Sequence, residues 1–204
     1  MNDTVICIGR QYGSGGREIG EKLAQRLGIV CYDKLLIQQA AKEAGLAVGT
    51  VAADDEKPIG LCSVVSGNPF ADSAALGEMF YSEELRVYDA ERRAILDIAK
   101  RGSGIIIGRC ASSVLRSAGY DVISVFIYAD KDDRARRIAA RNGLSVKEAL
   151  RRAEKVDRMR KRYFDFYSDT PWGDPSSSDL MVSSGRYGID GTVDLIADAV
   201  KERM

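Results

Sequence analysis

The sequence predicts an α/β fold built on a central parallel sheet, and three stretches carry that reading. Residues 5–28, VICIGRQYGSGGREIGEKLAQRLG, run from a β-branched strand through a glycine turn into an amphipathic helix marked by Ile19, Leu23 and Leu27. Ile105, Ile106 and Ile107 form a continuous apolar run, the pattern of a strand buried on both faces of a parallel sheet. DVISVFIYAD (121–130) supplies a further apolar strand, closed by Asp130 and followed by helical sequence. At 204 residues the chain suits one such domain with an elaboration rather than two domains.

The glycine turn comes first. Glycines at 13, 15 and 16 lack a Cβ, so successive backbone N–H groups can converge on one point, at which the following helix aims its positive end. Anions collect at such a point. The usual phosphate loop reads G-x-x-x-x-G-K-S/T. Aligned to it, this chain has Arg10 for the first glycine, Gly16 for the lysine and Arg17 for the hydroxyl residue. The cradle survives without its usual charge, and a plain glycine-rich turn is the competing reading. The dinucleotide fingerprint G-x-G-x-x-G fits worse, because Glu18 falls at its third glycine.

After Gly28, a helix stop, IVCY (29–32) reads as a short strand. Asp33 follows, opening a helix through Leu35, Leu36, Ile37, Ala40 and Ala41. A carboxylate at a strand's C-terminal end projects into the crevice of an α/β sheet, so Asp33 can meet a ligand; it can equally cap its helix. Residues 45–77, broken by seven Gly or Pro residues including Gly45, Pro58 and Gly77, read as a mobile, partly helical insertion. Helix resumes over 82–101 with Leu85, Tyr88, Arg92, Ile95, Leu96 and Ala99 on one face. Arg109, directly after the 105–107 strand and Gly108, sits at the crevice edge, where an arginine serves as an anion or base clamp. A short helix over 111–118 precedes the 121–130 strand.

From Lys131 to Tyr167 the sequence is helical, broken at Asn142-Gly143 and restarted by a capping box from Ser145 to Glu148. It carries Arg134, Arg136, Arg137, Arg141, Arg151, Arg152, Arg158, Arg160 and Arg162. Most surface arginines contribute little. A helical pair loaded with them is nevertheless what a phosphate-covering lid requires, since closure must neutralise several charges at once. Trp172 to Pro175 is a turn, 179–182 a last strand and 189–203 a closing helix.

Composition narrows the chemistry. Thirty basic and thirty acidic side chains cancel, which gives no electrostatic reason to expect nucleic-acid or membrane partners. The chain has no histidine, which excludes imidazole-based zinc sites and His-dependent triads. Cys7, Cys31, Cys62 and Cys110 show no C-x-x-C pairing and read as reduced, largely core thiols. Neither a leader nor a long apolar segment is evident, and a cytoplasmic protein is expected.

Several motifs together resemble the cytidylate kinase-like branch of the nucleoside monophosphate kinases, within the P-loop kinases. They are I-x-R-x-Y-G-S-G-G-R-E-I (8–19), Tyr32-Asp33, IIIGRCA (105–111), FIYAD with RARR (126–137), Asp157 and Arg160 before Tyr163-Phe164, and the WGDP…DL tail (172–180). The resemblance implies a three-layer fold with core segments 1–44, 102–133 and 171–204, a helical acceptor-binding insertion near 45–101 and an arginine-rich lid near 134–170. It implies a phosphate loop of Gly13, Ser14, Gly15, Gly16 and Arg17, with Arg10 or Arg17 able to supply the missing cation. Asp33 and Arg109 would face the acceptor, while Arg137, Arg141, Asp157 and Arg160 would belong to the lid. The chain departs from the family pattern at Cys110, where an acceptor-binding aspartate is usual, and at Ser112, where an acid is usual.

The expected activity is transfer of the ATP γ-phosphoryl, with Mg²⁺, to a nucleoside monophosphate of the CMP type or another small acceptor. With no hydroxyl at position 17, Ser14, a carboxylate or water would hold the metal. A phosphate acceptor needs no strong base; an alcohol would require one, and Asp33 is the candidate. The alternative is a nucleotide-binding or sensing protein that lost transfer with its loop lysine. The expected partners are the nucleotide, a small-molecule acceptor and, as an open alternative, further copies of the chain.

Overall fold

In the computed structural model, residues 4–43, 45, 73–201 and 203 are described. Cys62 and most of the 45–77 insertion lie outside them. Among the described residues the backbone forms five strands, β1 (Val5–Arg10), β2 (Val30–Tyr32), β3 (Gly104–Ile107), β4 (Val122–Tyr128) and β5 (Leu180–Ser183). Seven described α-helices accompany them: α1 (Gly16–Leu27), α2 (Lys34–Glu43), α3 (Ser73–Ala99), α4 (Ala111–Ser117), α5 (Lys131–Asn142), α6 (Val146–Tyr167) and α7 (Ser184–Lys201). The strands make one sheet in the order β2-β3-β1-β4-β5, and every pairing is parallel.

Alternation along the strands divides the core into two layers. Ile6, Ile8, Ile105, Ile107, Val125 and Ile127 face α1 and α7, where Ile19, Leu23 and Ile196 are fully buried. Val5, Cys7, Ile106 and Val122 face α2, α3 and α4. Ile105 to Ile107 are at most 1% exposed, as their unbroken apolar run requires. Helix α3 begins at Ser73, continuing through Gly77, so it starts nine residues before the expected Ser82. Its buried stripe is also rotated from the expected one. Val87, Ala90, Glu91, Ala94, Ile95 and Ile98 face inward, while Leu85 is 38% exposed, because small alanines at 90 and 94 let the helix approach the sheet on that side.

Helices α5 and α6 form a separate pair around Ala135, Ile138, Ala149 and Ala153, with Tyr12 packed against them. Gly143 (φ 64°) ends α5, and the Ser145 to Glu148 capping box starts α6. Helix α7 opens with a turn at Ser184 and changes course at Gly188 (φ 69°, ψ −177°), so its regular part starts at Ile189 as expected. Among the described residues no helix is long and apolar enough to cross a membrane.

Candidate active site

Central strand β1 delivers residues 11–15 to the carboxyl edge of the sheet, where ligands bind in open α/β folds. Gly13 and Gly15 have φ of 81° and 78°, which their lack of a Cβ permits. Gly15 caps α1 without any side-chain hydrogen bond, and Ile19 N–H is the first to reach back, to Gly15 O at 3.0 Å. The earlier N–H groups of the helix have no partner along it and open onto the turn. A Cβ at Gly15 would collide with Ile189 and stand 3.1 Å from Arg137 Nη1. Ser14 is fully buried; its hydroxyl donates to Gln11 O at 2.8 Å, and its carbonyl accepts from Ser184 Oγ at 2.5 Å.

Four residues of the helical pair grip this loop through its backbone. Arg137 Nη1 donates to Gly13 O at 2.9 Å. Arg160 Nη1 donates to Arg10 O at 3.1 Å, its guanidinium 5.6 Å from the centre of the Tyr12 ring. Asp157 accepts from Tyr12 N–H at 2.8 Å and from Arg134 Nη2 at 2.5 Å, while Arg134 Nε donates to Tyr12 O at 2.8 Å. Arg141 is exposed in the last turn of α5, one turn beyond Arg137.

The two arginines at the ends of the loop are placed differently. Arg17 pairs with Glu21 at 2.9 Å and with Asp33 at 2.8 Å. Asp33 thereby serves as an ion-pair partner and also caps α2, accepting from Leu36 N–H at 3.1 Å. Arg10 crosses from the end of β1 to the end of β3. Its stem lies where a Cβ on Gly16 would be, and its guanidinium lies against Gly108, whose φ is 79°.

Beside the loop a cleft of about 640 Å³ opens between the strand ends, α3 and α6. Arg10, Lys34, Arg109, Arg160, Tyr163 and Trp172 are among its walls. Arg109, the crevice arginine of the sequence, lines this cleft, and Lys34, whose residue is 7% exposed, was not foreseen. Tyr88 and Tyr167 stack 3.7 Å apart, and Tyr163 meets both edge-on. Cys110 carries a buried thiol pushed up to about 12 by that burial, so it is neutral where the resemblance would put a carboxylate. The carboxylate actually nearby is Glu91, on α3, 1% exposed and 3.4 Å from Arg109. Spacing gave one signal for it, since residue 91 lies between Tyr88 and Ile95 on the same face of the helix. Among the described residues no group of three or more acids or cysteines is placed to hold a metal ion.

A glycine cradle at the end of a central parallel strand, an arginine-bearing helical pair and an adjoining cleft define a kinase of the P-loop type, a phosphotransferase. The family model for the cytidylate kinase-like family matches residues 5–186, and the chain belongs to that family. The cytidylate kinase of Pyrococcus horikoshii is 27% identical over 198 residues, covering 96% of this chain and 88% of that protein. That of Pyrobaculum calidifontis is 28% identical, covering 81% of this chain and 93% of the relative. Among solved structures, an uncharacterized protein from Eubacterium ventriosum is 30% identical with a TM-score of 0.73, over 98% of this chain and 99% of that one. A shikimate kinase from Bacteroides thetaiotaomicron shares the fold at TM-score 0.56 and 14% identity, over 97% and 98% of the two chains.

Proposed function

We propose that the protein transfers the γ-phosphoryl of ATP, presented as its Mg²⁺ complex, to a nucleoside monophosphate of the CMP type. The observation that carries this reading is Arg137 on the glycine loop. Its guanidinium stands on Gly13 O and beside Gly15, which puts a fixed cation at the cradle where the sequence lacks the loop lysine. Phosphoryl transfer asks chiefly for positioning and for neutralisation of charge, which backbone N–H groups and arginines supply without a histidine.

The residues divide by place. Gly13, Ser14, Gly15 and Gly16 form the seat for the donor phosphates, with Arg137 beside it and Arg141 one turn further along α5. Arg160 and Arg10 stand at the junction between loop and cleft, and Arg109 faces the acceptor. Arg17 and Asp33 balance each other at the start of α1. An Asp33 already engaged by Arg17 and by the α2 backbone is poorly placed as a general base, which favours an acceptor whose oxygen is already anionic. The Mg²⁺ would be held in this reading by the nucleotide's phosphates and water, with the Ser14 hydroxyl or a carboxylate as the protein oxygen that could join them. The 45–101 insertion and the 134–170 pair are proposed as the acceptor-side element and the lid of one kinase domain, working as a cytoplasmic enzyme.

The test is ATP turnover by purified protein across the nucleoside monophosphates, with and without Mg²⁺. Mg²⁺-dependent turnover with CMP is the expected result, and Arg137→Ala lowers kcat by about a hundredfold or more. Nucleotide-induced thermal stabilisation without turnover of any acceptor would replace this reading with that of a nucleotide-binding protein.

A further inference from the structure

The turn that carries Arg109 is costly. Arg109 and Cys110 both have left-handed backbones, φ 56° and 52°, directly after Gly108. Non-glycine residues pay about 1–3 kcal/mol each for such conformations and keep them only where their surroundings dictate it. The surroundings centre on Glu91. Its Oε1 accepts from Gln38 Nε2 at 3.3 Å; its Oε2 accepts from the Tyr163 hydroxyl at 3.2 Å and stands 3.4 Å from Arg109 Nη1. The donors come from α2, from α6 and from the turn after β3. A carboxylate so far from water requires both hydrogen bonds and a cation, and Arg109 is the cation. The Arg109 guanidinium also lies 5.6 Å from the centre of the Tyr163 ring, so it is held on two sides. Burial, then Glu91 itself, pushes the Tyr163 phenol well above its ordinary range, so it stays protonated and donates.

We propose that Glu91 is the positioning residue of the acceptor site: it fixes the Arg109 guanidinium and the Tyr163 phenol together, so that Arg109 meets the acceptor already oriented. The proposal rests on the reading of the cleft as the acceptor site. It assigns a role to a carboxylate that does not line the cleft. Cys110 cannot offer an acceptor a charge, and Glu91 restores one to this neighbourhood from behind the arginine. Because Tyr163 stands on α6, with Asp157 and Arg160 gripping the loop further up the same helix, Glu91 also ties the acceptor side to the phosphate side. Preorganisation of this kind lowers the ordering cost of binding.

Glu91→Gln keeps the shape and removes the charge. The Michaelis constant for CMP is expected to rise about ten- to a hundredfold, the worth of one charged hydrogen bond, and that for ATP to rise less. Glu91→Asp recovers most of the loss, and Glu91→Gln adds nothing further in an Arg109→Met background. An unchanged constant for CMP, or equal losses in both backgrounds, overturns the proposal. Tyr163→Phe removes only the hydroxyl; if Glu91→Gln does not fold, a severalfold rise from Tyr163→Phe supports the proposal and no rise overturns it. Crystal structures of the wild type and of Glu91→Gln decide the point without substrate: Arg109 must leave the Tyr163 ring in the variant, and an unmoved guanidinium refutes the role. If the wild type turns over no nucleoside monophosphate, the functional reading falls, while this comparison still decides Glu91.

Discussion

Single residues set the character of this site more than their number suggests. Gly15 is the sharpest case, because two independent demands meet there: a φ of 78° and the absence of space for a Cβ between Ile189 and Arg137. Gly15→Ala is expected to cost at least about 1–2 kcal/mol through the backbone alone, lowering the melting point by roughly 2–4 °C per kcal/mol. It also displaces Arg137 from the loop, so stabilisation by added ATP disappears. Thermal melting with and without ATP checks both effects, and a variant that melts like the wild type and still responds to ATP would show that the loop tolerates a side chain. Arg10 depends on glycine in the same way. Its path between Gly16 and Gly108 exists only because neither residue has a Cβ, and nothing in the local sequence of either glycine announces the other.

Among the elements, the α5–α6 pair is the one whose attachment matters most. Its hold on the loop centres on Asp157, which joins Arg134 to the Tyr12 backbone with side-chain exposures of 8% for Arg134 and 15% for Asp157. Asp157→Ala leaves Arg134 without its carboxylate and is expected to cost about 2–3 kcal/mol, somewhat below the figure for a fully buried pair. Hydrogen exchange of the Tyr12 amide is expected to accelerate sharply in this variant; unchanged protection would mean that Asp157 does not hold the pair to the loop. The helices themselves were legible in the sequence because their boundaries are local chemistry: Gly143 ends one and Ser145 with Glu148 starts the next. The face that α3 buries was not. Leu85, Tyr88 and Arg92 follow a helical period as well as Val87 and Glu91 do, and only the sheet, reached through Ala90 and Ala94, selects between the two stripes. The same limit hid Glu91 at the site. Its partners Gln38, Arg109 and Tyr163 lie on three other segments, so no spacing rule links them.

For the whole molecule, the order β2-β3-β1-β4-β5 explains why so much of the architecture could be read from pattern. A strand buried on both faces must be continuously apolar, and β1, β3 and β4 are the three innermost strands of the sheet. The same burial has a consequence for pH. Cys7 in β1, Cys31 in β2 and Cys110 after β3 are free thiols, each raised from an ordinary 9.0 to about 12, chiefly by desolvation. A thiol whose folded value is raised binds its proton more tightly in the folded state, so its contribution to stability is complete below pH 9 and is lost as the pH rises toward 12. Tyr163 acts with the same sign but only above the ordinary tyrosine value of 10.0. Urea midpoints measured from pH 7 to 11 are therefore expected to fall beginning near pH 9. A Cys7→Ala, Cys31→Ala, Cys110→Ala protein, less stable at neutral pH for lack of the sulfur packing, should show a flatter decline between pH 9 and 10, before the phenol contributes. The thiols of the folded wild type should also resist alkylation at pH 8, because little thiolate is present. An identical pH slope in the triple variant would assign the alkaline loss to other groups and remove the three cysteines from the account.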